Sequence, residues 1–169
     1  MIVLVSGPSG SGKTRFCEAM IGTATDVAGI LCPGIEVDGE RTEIRARTLP
    51  GVATRILATR RDLMESDGEL VTPRWRFDPA TVAWGDAHLA SIGRVRLLVV
   101  DELGPLEFER REGFVSAFPL LDRGAFALAL VVVRPGLLPL AQSRWPGASV
   151  HDVTGAGSRA IPIPAWPGG

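Results

Sequence analysis

The run Gly7-Pro8-Ser9-Gly10-Ser11-Gly12-Lys13-Thr14 has the pattern G-x-x-x-x-G-K-[ST]. Glycines at this spacing let backbone N–H groups turn inward onto phosphate oxygens, the lysine reaches the β- and γ-phosphates, and the Thr14 hydroxyl is offered to Mg²⁺. The chain has 17 arginines and a single lysine, Lys13. Arginine serves every other basic position, but a planar guanidinium is too bulky to enter a tight backbone loop that a compact ammonium can cap. Context agrees. Met1–Ser6 (MIVLVS) reads as a buried strand, and Arg15–Ile21 (RFCEAMI) has helical spacing with Phe16, Met20 and Ala19 or Ile21 inward. Strand, glycine loop and helix N-terminus are the order in which a helix dipole adds to phosphate attraction. Gly7 to Arg15 are therefore expected to bind the phosphates of a nucleotide, with Lys13 also catalytic.

A second constellation lies at Leu97–Glu102 (LLVVDE), four apolar residues followed by two carboxylates. At the C-terminal end of a parallel strand they face the same crevice as the phosphate loop. Asp101 is expected to hold Mg²⁺ with Thr14, and Glu102 to orient and deprotonate an attacking water. Taken alone, such a pair could merely cap the next turn; the loop at Lys13 favours the chemical reading.

The elements that must position these residues follow from pattern. Ala28–Val37 and Arg41–Leu49 flank Asp38-Gly39, a strong hairpin signal. Pro50-Gly51 turns into a strand over Val52–Thr59, and Arg60–Pro73 is polar and acidic, reading as a mobile loop. Asp78-Pro79 is an N-cap and first helical position opening a helix to Ile92. Val95–Val100 reads as a strand, Glu109–Leu121 as a helix interrupted near Pro119, and Ala125–Val133 as a buried strand. Pro135–Ser143 reads as a short helix, Ser149–Val153 as a last strand, and Ile161–Gly169 as a Pro/Gly-rich tail without core residues to anchor it. Buried runs separated by helices predict an α/β fold, a mostly parallel sheet with helices on both faces, in one domain over 1–160 followed by the tail 161–169.

Composition narrows the function. A net charge of −1 leaves no electrostatic footprint for nucleic acid or an anionic membrane. The longest apolar run, Ala125–Val133, is too short to span a bilayer. A first strand starting at Met1 leaves no room for a signal peptide, and Cys17 and Cys32 are expected reduced, Cys17 as a buried filler, in a cytoplasmic monomer for which a protein partner stays open. His88 and His151 lack partners at metal-ligand spacing, and Gly155-Ala156-Gly157 has no helix after it. The four tryptophans are too scattered for a stacking platform and read as packing residues.

Together, GPSGSGKT, GILCPGIEVDGER, VVDELGPLEFERREGF, the strand ending in Arg134 and VHDVTGAGSR resemble the nucleoside-triphosphatases first named from thermophiles, also called cancer-related nucleoside-triphosphatases. The resemblance runs over residues 1–160. It implies a P-loop fold of the additional-strand, catalytic-glutamate (RecA-like) type and Mg²⁺-dependent hydrolysis of several nucleoside triphosphates. In that fold the strand after Asp101-Glu102 sits between the loop strand and the Asp-Glu strand, which would bring Arg134 beside the γ-phosphate as a charge-stabilising group or leave it as a strand-end cap. Where the family usually reads Asp-Glu-Ile-Gly-Lys-Met-Glu-Leu, this chain has Pro105 for the lysine and retains Glu107, left open between substrate contact and salt bridge. The family's terminal Asn-Arg is Ser158-Arg159 here, with Arg159 expected at the nucleotide. Arg60 and Arg61 could close over phosphate or form a solvated pair.

Hydrolysis of nucleoside triphosphates such as ATP or GTP leads. The alternatives are a small-molecule or nucleotide kinase, for which Arg60-Arg61 is the one hint of a lid, and a slow nucleotide-hydrolysing accessory subunit. The chain has no asparagine and no second lysine, so an Asn-Lys-x-Asp guanine reader is excluded and base selectivity is expected to be loose. The steric argument about the loop makes a prediction: Lys13→Arg should lose triphosphate binding nearly as completely as Lys13→Ala. Calorimetric titration decides it, and wild-type affinity in the arginine variant would overturn the argument.

Overall fold

A computed structural model describes residues 1–61, 70–154 and 160–166. Among them, nine strands form one sheet with the order β6-β5-β4-β2-β7-β8-β1-β9, β3 pairing with β4 off this path. The strands are β1 (Ile2–Ser6), β2 (Val27–Leu31), β3 (Gly34–Val37), β4 (Glu40–Leu49), β5 (Thr54–Arg60), β6 (Trp75–Phe77), β7 (Val95–Leu103), β8 (Phe126–Val133) and β9 (Ser149–Asp152). The helices are α1 (Lys13–Ile21), α2 (Pro79–Ser91), α3 (Ala117–Arg123) and α4 (Leu138–Arg144).

β2, β7, β8, β1 and β9 pair in parallel. Alternation sorts their side chains onto two cores. Val3, Val5, Leu97, Val99, Leu128, Leu130 and Val132 pack on Phe16, Cys17 and Met20 of α1. Leu4, Leu98, Val100, Ala129 and Val131 pack toward α2, α3 and α4. Both faces of these strands are covered, which is why they read as unbroken apolar runs. As the family fold implies, β8 lies between β1 and β7. The Ser6 hydroxyl donates to the Val133 carbonyl at 2.9 Å and locks the ends of β1 and β8 together.

Several expectations need revision. The sheet continues beyond β2 as an antiparallel extension, β3 to β6, where the charge-alternating sequence is half exposed. Ala28–Val37 is not one strand: it breaks at Cys32-Pro33 into β2 and β3, which take successive stretches of the same edge of β4. The Asp38-Gly39 turn has φ values of 52° and 79°, both positive, as the favoured two-residue hairpin turn requires. Val52 is 91% exposed and β5 starts at Thr54. Asp78 does cap α2, its carboxylate accepting the Thr81 N–H at 3.0 Å.

The helix expected at Glu109–Leu121 is instead a π-helical turn, Leu106–Arg110, then an irregular stretch, then α3. Pro119 sits in the first turn of α3, where a missing N–H costs nothing. The tail is anchored after all: Ile161 and Ile163 pack against the α1 core, and the Arg94 guanidinium lies 3.9 Å from the Trp166 ring centre. Of segment 60–73, residues 62–69 lie outside the described residues. Among the described residues no helix is long and apolar enough to cross a membrane.

Candidate functional site

The loop between β1 and α1 turns at Gly10 and Gly12, with φ of 77° and 94°, a region closed to most side chains. Lys13 opens α1 and bends back over the loop, its ammonium donating to the carbonyls of Gly7 at 2.8 Å and Pro8 at 2.7 Å. The Ser11 hydroxyl oxygen is buried without a hydrogen-bond partner. Partial desolvation lowers the Lys13 pKa, opposed by the charges of Glu102 and Asp101; Arg134 and Arg41 add to the lowering. Those four side chains therefore share one electrostatic neighbourhood with the loop lysine. Arg15 projects from α1 and is exposed.

Asp101 is 2% exposed. One of its oxygens accepts the Cys32 N–H at 2.9 Å, and the nearby Thr14 side chain favours the charged form of the same carboxylate. Burial raises its pKa to about 6, against the lowering effects of the Cys32 bond, of the Thr14 side chain and of the Lys13 charge; Glu102 adds to the rise. Thr14 and Asp101 thus bring two hard oxygen donors to the loop mouth. Among the described residues there is no cluster of three or more His, Cys, Asp or Glu side chains for a metal. That donor set suits Mg²⁺, which needs one or two carboxylates and takes its other oxygens from phosphate and water, and it does not suit zinc.

β7 does not end at the carboxylates. Its register with β8 runs Val100↔Val131 and then Leu103↔Val133, so Asp101-Glu102 forms a bulge in which β7 advances three residues to two on β8. Glu102 has φ of 78°, rare for a residue with a side chain, and bulges re-aim side chains in this way beside active sites. Its carboxylate forms an ion pair with Arg134, the residue after β8.

Two contributors escaped the sequence. Arg41, at the start of β4, folds over Gly34, where an added Cβ would stand 2.2 Å from its Nε. Gly34 lies two residues from Cys32, the donor to Asp101, so the bare backbone lets the hairpin carry a guanidinium toward the site. Glu107 forms no salt bridge among the described residues. It is 6% exposed, and its oxygens accept the Gly104 N–H at 2.8 Å and the Phe114 N–H at 2.9 Å. It therefore clamps the irregular loop that follows Glu102. Only a buried carboxylate without a nearby cation could have signalled this, and local pattern does not report burial in a loop.

Other candidates fall outside the site. Arg60 pairs with Glu40 across the antiparallel extension, the solvated alternative. Arg159, with the glycines around it, lies outside the described residues. His88 bonds the Gly29 carbonyl at 3.0 Å and His151 stacks on Phe16. Cys17 and Cys32 are buried free thiols, both with pKa pushed up by burial.

A strand, a glycine loop opening a helix, and a carboxylate-bearing strand with one strand between it and the loop strand define a P-loop nucleoside-triphosphatase. Residues 2–132 match the family model described as NTPase, and the chain belongs to this nucleoside-triphosphatase family. Its structure is similar to that of a human cancer-related nucleoside triphosphatase, with 18% identity, a TM-score of 0.59, and 88% of this chain and 86% of that one covered. It is also similar to THEP1 from the hyperthermophile Aquifex aeolicus, with 17% identity, a TM-score of 0.56, and 91% and 90% covered. No curated protein matches the sequence.

The Glu107 clamp makes a prediction. In Glu107→Gln one of the two N–H donors would face an amide NH₂ in place of an acceptor, a loss of about 1–3 kcal/mol. Burial raises the Glu107 pKa from 4.5 to about 7, so its ionisation opposes folding and wild-type stability should fall as pH rises across that window. Glutamine does not titrate. Urea unfolding from pH 4.5 to 8 should show the wild-type advantage shrinking with pH, and a constant gap would remove the burial argument.

Proposed function

We propose that this chain hydrolyses nucleoside 5′-triphosphates to diphosphate and phosphate with Mg²⁺ and with loose base selectivity. The observation that carries the reading is the bulge at Asp101-Glu102, in which adjacent residues turn one carboxylate toward Thr14 and the other toward Arg134. Backbone N–H groups between Ser9 and Lys13 receive the β- and γ-phosphate oxygens. The Lys13 ammonium has three N–H groups, two on loop carbonyls, and the third serves the phosphates. Thr14 and Asp101 are the residues that would hold Mg²⁺, which when bound neutralises charge on the β- and γ-oxygens.

Glu102 then orients a water for in-line attack on the γ-phosphorus and takes its proton. Arg134 leaves β8 between the loop strand and the carboxylate strand, within reach of both the Glu102 carboxylate and the transferred group. There it steadies the base and counters charge as the phosphoryl group departs. Loose base selectivity rests on the absence of asparagine and of a second lysine from the whole chain, which leaves no Asn-Lys-x-Asp reader.

Two substitutions test these roles. Glu102→Gln should keep triphosphate and Mg²⁺ affinity and lose about 10²–10⁴ in turnover, since an amide cannot take the proton of water. Phosphate release from ATP, GTP, CTP and UTP, with and without Mg²⁺, reads this directly; turnover within about threefold would make Glu102 a structural residue. Arg134→Ala should reduce turnover at least about tenfold while diphosphate affinity holds, because a diphosphate has no group at the γ position. Equal small losses in diphosphate affinity, triphosphate-analogue affinity and turnover would remove Arg134 from the chemistry.

A further inference from the structure

The stretch from Gly104 to Ser116, which follows β7 and leads into α3, is tied to α2 at its far end. There the Asp86 carboxylate accepts the Ser116 N–H at 2.7 Å and the Ser116 hydroxyl at 2.8 Å. The Phe114 ring is buried against Gly85 of α2, where an added Cβ would stand 2.6 Å from it. The near end is Gly104, two residues from Glu102. Glu107 joins the two ends, one oxygen taking the Gly104 N–H and the other the Phe114 N–H. Gly113 crosses this carboxylate with φ of 80°, and a Cβ there would stand 2.0 Å from Oε1. Between the loop and the Glu102–Arg134 pair the cavity is about 30 Å³, room for about one water. The loop therefore packs close against the pair, and movement at Gly104 reaches Glu102.

We propose that Glu107 is a positioning residue for hydrolysis: by joining Gly104 to the core through Phe114, it holds Glu102 in the left-handed backbone that turns its carboxylate to Arg134. The inference rests on the role given to Glu102 above.

Two observations separate this role from a loop that merely satisfies its own N–H groups. A carboxylate is a costly acceptor at this depth, because it is desolvated and burial raises its pKa from 4.5 to about 7. Its return is strength, since hydrogen bonds to an ionised acceptor are roughly twice as strong as neutral ones. The conformation at the other end of the link is also unfavourable. Glu102 has φ of 78°, and a residue with a side chain stays there only while its surroundings hold it. A charged clamp two residues from a strained base trades stability for the aim of that base.

A double-mutant cycle tests it on the full chain, with wild type, Glu107→Gln, Glu102→Gln and the double variant. Single-turnover phosphate release from Mg-ATP is read at about pH 8, above the raised Glu107 pKa, beside diphosphate and triphosphate-analogue affinities. Glu107→Gln should lower turnover at least about tenfold with both affinities held within about twofold, because another segment binds the phosphates. In the Glu102→Gln background the same change should cost less than about threefold, since the group it positions is no longer a base. Equal losses in both backgrounds, or none in the wild-type background, overturn the positioning role and leave Glu102 as the base. If Glu102→Gln itself stays within about threefold of wild type, the base assignment fails and the positioning role with it. Circular dichroism checks that each variant is folded. Should Glu107→Gln unfold, Ser116→Ala, which removes one of the two bonds to Asp86, takes its place in the cycle. A loss of about threefold is then expected only where Glu102 is intact, and equal losses again overturn the role.

Discussion

A single buried carboxylate holds the site together. Asp101 is desolvated at the end of β7, and a charge there is tolerated only where polar partners meet it. The partners come from two other elements: the Cys32 N–H just after β2, which donates to it, and the Thr14 side chain in the first turn of α1, which favours its charged form. Lys13 adds an opposing charge. These contacts require β2, β7 and the strand before α1 to present their C-terminal ends on one edge, which the parallel order achieves. The phosphate loop and the carboxylate strand are not adjacent. β8 separates them, and the Ser6–Val133 hydrogen bond keeps that separation fixed at the site edge.

From this anchor, one irregularity produces the division of labour between adjacent residues. In a regular strand Asp101 and Glu102 would point to opposite faces. The bulge and the positive φ of Glu102 turn its carboxylate to Arg134 instead. A non-glycine residue in that conformation persists only where its surroundings over-determine it. The surroundings here are the Arg134 ion pair on one side and, two residues on, the Gly104 N–H held by Glu107. Glu107 is thus the residue through which the π-helical turn and the stretch before α3 become rigid enough to support Glu102. Pro105, where the resembling family has lysine, opens that turn, so the departure falls on backbone shape at the start of the clamp.

What the sequence made legible were features encoded locally. The phosphate loop, the Asp38-Gly39 hairpin, the Asp78-Pro79 cap and the fully buried β7 and β8 each depend on residues adjacent in the chain. The order of β1, β8 and β7 was legible only through family resemblance, because local pattern does not encode which strands pair. The break at Cys32-Pro33, the bulge at Asp101-Glu102 and the anchoring of Ile161 and Ile163 were not legible. In each, the deciding partner is distant: β4 and β7 for the first, β8 for the second, the α1 core for the third. The expected helix at Glu109–Leu121 failed for a related reason. Its charged residues have helical composition, but Glu107 bonds to Gly104 and Phe114 stabilise a different backbone than continuous i to i+4 pairing would.

The arginine bias gives the site its final logic. Guanidinium groups are placed where they can stay partly hydrated and lie flat: Arg134 is about half exposed on a carboxylate, and Arg41 lies over the bare backbone of Gly34. Both stay partly exposed. Inside the loop the geometry is different, since the cation must fit between the Gly7 and Pro8 carbonyls less than 3 Å away on each side and still present a proton outward. An ammonium on a flexible stem can do this, and a planar fork with five donors cannot satisfy them there. A chain that uses arginine at every other basic position therefore keeps one lysine, at the position where the backbone itself is the wall of the site.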